Sequence, residues 1–353
     1  MKTLTTLHRW TGGFVGLLLA LIGLSGTVLL WEESWIALPG AHAPVETGPD
    51  ALGAVAERAF AQQEGLSRIT FGDEGMALHQ AIYADGGGAY FDQSATAVAH
   101  WPDKWGRPEL WLFDLHHYLL LGESGKTATG VLGLLLIGFV VTGTILWWRT
   151  RRTFRLRAWP ARMTRSAIVR QHRDLGVVAA PLLLLSAATG TAMVFPALAD
   201  AVLKPWSNPA QAAPAPPTPA GPLAPETDWR AVMADAQARF PGAVPRRLML
   251  PAGPDQPITL RLRQAFEWTP NGRTYVYLDP ASGRVIGVDD PAARDTATAI
   301  VEKFYPLHAA KTRSLLWRLA LTLSGLALVV LGTFATWSFW FVPARPRAAL
   351  AVG

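Results

Sequence analysis

Four of the eight histidines stand at matched places in the two halves of this 353-residue chain. His8-Arg9 opens one apolar run and His172-Arg173 opens another. Gly12, Gly16, Gly23 and Gly26 follow His8 at the same offsets at which Gly176, Ala180, Ala187 and Gly190 follow His172. His116 and His308 each precede a further apolar run, in the contexts Phe113-Asp114-Leu115-His116 and Tyr305-Pro306-Leu307-His308. These offsets recur at helical spacing, so each repeat carries an imidazole at its end and below it a stripe of residues with almost no side chain. The chain has no cysteine, which excludes disulfides, thiolate metal sites and iron–sulfur clusters and leaves imidazole as the main soft ligand.

Two histidines at matched depth on neighbouring helices can hold one haem iron from opposite faces, and the small-residue stripes give the macrocycle room against the backbone. Without a Cys-x-x-Cys-His motif such a haem is held non-covalently. His8 with His172, and His116 with His308, make two pairs and so two b-type, bis-histidine haems. His117 adjoins His116 but lies about 100° round a helix, as the alternative ligand or as a group behind it. Arg9, Arg170 and Arg173 on one side, and Lys311 and Arg313 on the other, are placed to pair with propionates. Zinc and plain helix packing are the competing uses of these residues. Met193 reads as a gap-filler rather than an axial thioether, and His42, His79 and His100 read as ordinary surface residues.

Positioning four such imidazoles requires membrane spans, and the composition supplies them. Half of the chain is hydrophobic, and charge-free windows cover Trp10–Trp31, Thr127–Trp148, Leu175–Ala199 and Leu319–Ala344, each longer than the roughly 20 residues a crossing helix needs. The expected plan is a mainly α membrane protein, a four-helix transmembrane bundle with two small α+β periplasmic lobes. Its segments are span 1 in 1–31, an outer segment in 32–126, span 2 in 127–148, a loop in 149–173, span 3 in 174–199, a second outer segment in 200–314, span 4 in 315–344 and a tail in 345–353. From His8 to Leu29 is about 30 Å of helix, which places one haem in each leaflet. Lys2 and Arg9, nine arginines between Arg149 and Arg173, and Arg345 with Arg347 put both termini and the central loop on the cytoplasmic side. The net charge of +6 is thus mostly a topology signal and not a nucleic-acid footprint. The first run is too long for a signal peptide, and cleavage at Ala41-His42-Ala43 would discard one member of the repeat.

The outer segments read alike. The first predicts a helix over Ala51–Gln63 and strands near Ser67–Phe71, Ala77–Tyr83 and Ala89–Phe91. The second predicts a helix over Asp228–Phe240 and strands near Arg247–Leu250, Ile258–Gln264, Arg273–Leu278 and Val285–Val288. Asp279-Pro280-Ala281-Ser282-Gly283 predicts a hairpin turn. The proline-rich stretch Ser207–Thr227 reads as a tether. No Gly-rich dinucleotide motif or P-loop is present, which argues against nicotinamide or flavin binding.

Leu7-His8-Arg9-Trp10-Thr11-Gly12-Gly13, Leu115-His116 with Leu119-Leu120-Leu121-Gly122, Thr142-Gly143 with Leu146-Trp147-Trp148-Arg149, and His172-Arg173-Asp174-Leu175-Gly176 together resemble the PepSY-associated transmembrane family. Tyr277-Leu278-Asp279-Pro280 and Ser282-Gly283-Arg284-Val285 resemble PepSY domains, while Phe91-Asp92-Gln93-Ser94 matches that turn only weakly and the proline-rich linker departs from the pattern. The resemblance spans nearly the whole chain and implies an inner-membrane, dihaem ferric-siderophore reductase. On that reading electrons from a separate donor, a quinol or a cytoplasmic reductase, reach a ferric siderophore or other ferric chelate outside. Two rivals stand beside it: a membrane-anchored PepSY binding or regulatory module without redox chemistry, and a haem subunit feeding a partner oxidoreductase.

Overall fold

The computed structural model describes residues 1–224 and 226–342; the expected tail 345–353 and the end of span 4 lie outside the described residues. The chain opens with α1 (Lys2–Leu29), continues through α2 (Pro49–Gln62) and strands β1 (Leu66–Thr70), β2 (His79–Tyr83), β3 (Gly88–Phe91) and β4 (Ala97–Trp101), and returns through α3 (Pro108–Tyr118) to α4 (Gly122–Trp148). The second half repeats that order. It runs through α5 (Arg165–Val194), α6 (Trp229–Arg239), β5 (Val244–Met249), β6 (Ile258–Arg263), β7 (Thr274–Leu278), β8 (Val285–Asp289), α7 (Phe304–His308) and α8 (Leu315–Trp340). Two compact units result, one of Met1–Leu30, Leu112–Pro196 and the chain from Leu307, the other of Trp31–Trp111 and Ala197–Pro306.

In the first unit α1, α4, α5 and α8 are each long and apolar enough to cross a membrane. α1 packs along α8 and α4 along α5, with α5 also meeting α8 and α1 meeting α4. Glycines set the α1–α8 approach. A Cβ on Gly16 would stand 2.7 Å from the Gly332 carbonyl oxygen, and one on Gly23 would stand 3.0 Å from that of Gly325. These members of the stripe therefore serve backbone-to-backbone contact, the usual basis of helix association where lipid is as apolar as leucine. Leu17, Leu24, Leu134, Ile145 and Leu323 point outward and are exposed, which suits a hydrocarbon surround.

The second unit is built on one antiparallel sheet in the order β4-β3-β2-β1-β5-β6-β7-β8. The two expected lobes are therefore a single body. β1 and β5 are the open edges of two four-stranded halves, and pairing them, Ile69 with Leu248 and Thr70 with Arg247, satisfies both rows of backbone groups at once. α2 and α6 cover one face. Leu52, Val55, Ala56 and Ala59 from α2 and Trp229, Val232, Met233 and Ala236 from α6 join Ile69, Leu248, Leu260 and Val276 in one core. Asp228 caps α6 by accepting from Ala231 N at 3.0 Å. β4 escapes the sequence pattern because Ala97-Val98-Ala99 carries little apolar bulk.

The hairpin at Asp279 forms as expected, with Gly283 at φ +68° and the Asp279 carboxylate accepting from Ser282 Oγ at 2.7 Å. In the first half Asp92 builds a turn one residue shorter, accepting from Ser94 N and Thr96 N at 2.9 Å, with Ala95 as its positive-φ residue at +60°. The proline-rich stretch is not a free tether: Ala220 N donates to Asp279 Oδ1 at 2.8 Å and Ala224 N to the Pro280 carbonyl at 3.0 Å. His79 is buried rather than at the surface, 1% exposed, because it shares the inward face of β2 with Ala81 and Tyr83.

Candidate functional site

The imidazoles of His8, in the second turn of α1, and His172, in the third turn of α5, lie with ring centres 6.2 Å apart and planes at 87°. The imidazoles of His116, near the end of α3, and His308, at the end of α7, are also 6.2 Å apart, with planes at 54°. A metal between two imidazoles, with bonds of about 2 Å to each nitrogen and about 1 Å from nitrogen to ring centre, sets the centres about 6 Å apart. Rotation about the nitrogen–metal axis leaves that separation unchanged, so the two angles are equally compatible with it.

The hydrogen bonds decide which nitrogen faces the gap. His308 Nδ1 lies 3.0 Å from the Ser186 carbonyl and 3.2 Å from Thr189 Oγ1. A carbonyl only accepts, so Nδ1 carries the proton and Nε2 keeps its lone pair. His116 is held in a similar way on α1: Ser25 Oγ donates to the Ile22 carbonyl at 3.1 Å and so accepts from His116 Nδ1 at 3.1 Å. Ile22, Ser25 and Gly26 follow His8 at the offsets at which Ser186, Thr189 and Gly190 follow His172, so the two outer imidazoles dock on repeated seats. Gly26 and Gly190 are what makes those seats possible: a Cβ would stand 2.7 Å from His116 Cε1 and 2.9 Å from His308 Cε1. These two stripe positions thus receive an imidazole ring and not a macrocycle.

At the inner pair, Thr142 Oγ1 donates to the Gly138 carbonyl at 2.7 Å and so accepts from His8 Nδ1 at 2.8 Å. This again leaves Nε2 unprotonated. His172 Nδ1 is buried with no hydrogen-bond partner among the described residues. Gly12, Gly143 and Gly176 line this end with room to spare, a Cβ there meeting nothing closer than 3.8, 3.5 and 3.9 Å respectively. Two imidazoles are too few for a structural zinc, which takes four protein ligands. They suffice for an iron whose other four positions a porphyrin fills. No cluster of three or more metal-ligating side chains occurs among the described residues.

His117 stacks on Phe113 at 3.8 Å with Nδ1 2.9 Å from the Phe113 carbonyl. Its ring centre lies 5.3 Å from that of His116. Arg173 is committed elsewhere. It bonds Asp174 Oδ1 at 2.7 Å and Thr153 Oγ1 at 2.8 Å, and Arg157 reaches the same fully buried carboxylate. This cluster straps the loop to α5, and Arg9 and Arg170 stay exposed. Met193 is 36% exposed at the far end of α5. The hydroxyls and carbonyls that orient the imidazoles were not singled out by sequence reasoning, although Ser25 and Thr189 share an offset from His8 and His172 that could have marked them.

Residues 5–341 match the family model described as the PepSY-associated TM region. The chain belongs to the PepSY-associated transmembrane family. As a member of that family with four apolar helices, it is a membrane protein. The chain is also similar to an uncharacterized protein of Pseudomonas aeruginosa, 29% identical over 213 residues, which cover 57% of this chain and 53% of the relative. The match thus spans about half of that relative's length. Both imidazole pairs lie within the span matched to the PepSY-associated TM region.

Proposed function

We propose that this protein is a dihaem electron carrier of the bacterial inner membrane that reduces ferric iron in a chelate, a ferric siderophore above all, on the periplasmic side. Its electrons come from a quinol or a reductase on the cytoplasmic side. The observation that carries this reading is the pair of 6.2 Å imidazole couples, duplicated on repeated helices. A haem b with imidazole at both axial positions exchanges single electrons without binding oxygen.

His8 with His172 and His116 with His308 would hold the two groups. Ser186, Thr189, Ser25 and Thr142 fix the ring orientations of His308, His116 and His8 and hold the proton on their Nδ1 atoms, which makes those three Nε2 atoms better donors. Seventeen residues separate His8 from Ser25, and seventeen separate His172 from Thr189, so each helix sets its two sites about 25 Å apart along its axis. Siderophores hold iron through hard oxygen donors that favour the trivalent ion, so one added electron loosens the chelate. The arginine-rich loop 149–173 supports a cytoplasmic placement of the His8 end.

The test is spectroscopic and functional. Purified protein should show a dithionite-reducible b-type spectrum with two haems per chain, and proteoliposomes given a reductant inside should reduce an external ferric chelate. A colourless preparation would favour the anchored binding module. Two haems without ferric reduction would favour a subunit that feeds a partner oxidoreductase.

A further inference from the structure

The sheet face opposite α2 and α6 is cationic and aromatic. Thr70, Arg247, Arg261 and Tyr275 lie directly opposite one another on β1, β5, β6 and β7, so their side chains share one side of the sheet. Arg273, just before β7, adds its charge beside Arg261. Like charges in direct cross-strand register destabilise a sheet, yet Arg247 faces Arg261. The Nε atoms of Arg247, Arg261 and Arg273 are all buried with no hydrogen-bond partner among the described residues. Burial and then the charges of Arg68 and Arg261 push the Arg247 guanidinium down to about 10, with the Tyr305 hydroxyl in partial compensation.

Glu267 and Glu302 offset part of the charge of Arg261. Glu267 accepts from Gln264 N, Arg273 N and Thr274 Oγ1, and Glu302 acts on the Arg261 and Arg273 end of the row. Tyr275 lies under the Arg261 guanidinium at 5.3 Å, holding it flat against the sheet. Planar guanidiniums with unused donors beside an aromatic ring match carboxylate and catecholate oxygens.

We propose that this face binds a small oxygen-rich polyanion and, resting on the reading that the protein reduces chelated ferric iron, that it selects negatively charged carboxylate or catecholate chelates over neutral or cationic ones. The probe is gallium(III) citrate, which carries no reducible iron, titrated calorimetrically into the full-length, haem-loaded protein beside a neutral gallium trihydroxamate. Because gallium accepts no electron, binding is scored independently of the redox reading, which the haem spectrum tests separately.

Wild type should bind the citrate chelate at least about tenfold more tightly than the hydroxamate, with affinity falling as salt rises, as expected of charge-assisted contacts. Arg247→Gln with Arg261→Gln should remove that preference and leave the haem spectrum unchanged. Equal affinity for the two chelates, or unchanged citrate binding by the double variant, overturns the proposal. So does arginine-dependent binding of phosphatidylglycerol vesicles without any binding of gallium citrate, which assigns the face to lipid headgroups.

Discussion

Gly190→Ala puts the geometry of the outer pair under direct strain. The added Cβ would sit 2.9 Å from His308 Cε1 and 3.3 Å from its Nδ1, against an ordinary carbon–carbon approach of about 3.5 Å or more. The ring must retreat by about 0.6 Å, taken as the difference between those contacts. It is held at 3.0 Å by the Ser186 carbonyl and faces His116 at 6.2 Å, so retreat from α5 spoils the seat, the partner distance or both. Overpacking of this kind costs about 1–3 kcal/mol, which is about five- to 150-fold in affinity. The assay is haem loss to an excess of apomyoglobin, followed spectroscopically. One of the two haems should leave faster by that factor while the other is unchanged, and Gly26→Ala, 2.7 Å from His116, should reproduce the effect from the opposite ring. Gly48→Ala, whose Cβ would meet nothing within 4 Å, is the neutral control. If both alanine variants retain both haems at the wild-type rate, the seats do not set the ligand geometry and the reasoning fails.

Three other outcomes follow from the same structure. Thr142→Val deprives His8 Nδ1 of its acceptor and should weaken the inner haem about 10- to 100-fold, with Thr142→Ser close to wild type; haem transfer rates check it. Asp174→Asn removes the buried partner of Arg157 and Arg173 and should make the loop 149–164 more sensitive to trypsin while the sheet unit keeps its resistance. Burial, and then the charge of Arg246, hold His79 neutral with its pKa lowered from 6.5 to about 4. A base depressed in the folded state stabilises above its unfolded value and loses that contribution as pH falls from 6.5 through 4, here by about 3 kcal/mol at most. Denaturant unfolding of the full chain should show this loss for wild type, and His79→Leu should flatten it.

The four spans and the pairing of histidines were legible because both rest on local signals: long charge-free runs and a repeat whose offsets survive from one half to the other. The outer helices were also legible from their periodicity, and the Asp279 hairpin from its turn residues. The merger of the two sheets was not, since β1 and β5 are brought together by edge pairing across a long sequence separation. His79 was misread because Ala77–Tyr83 carries apolar residues on both faces, which hides its inward side. The division of labour in the glycine stripe was hidden too. Spacing alone cannot tell Gly16, set against Gly332, from Gly26, set against His116. Arg173 looked free for a propionate in sequence, but its adjacent Asp174 takes it.

The most direct measurement is haem stoichiometry and spectrum of the wild type beside His8→Ala and His308→Ala. Two haems per chain, with each variant losing one and keeping the other, is the predicted result. A wild type without haem, or variants that each retain two, would contradict the assignment of the two imidazole pairs.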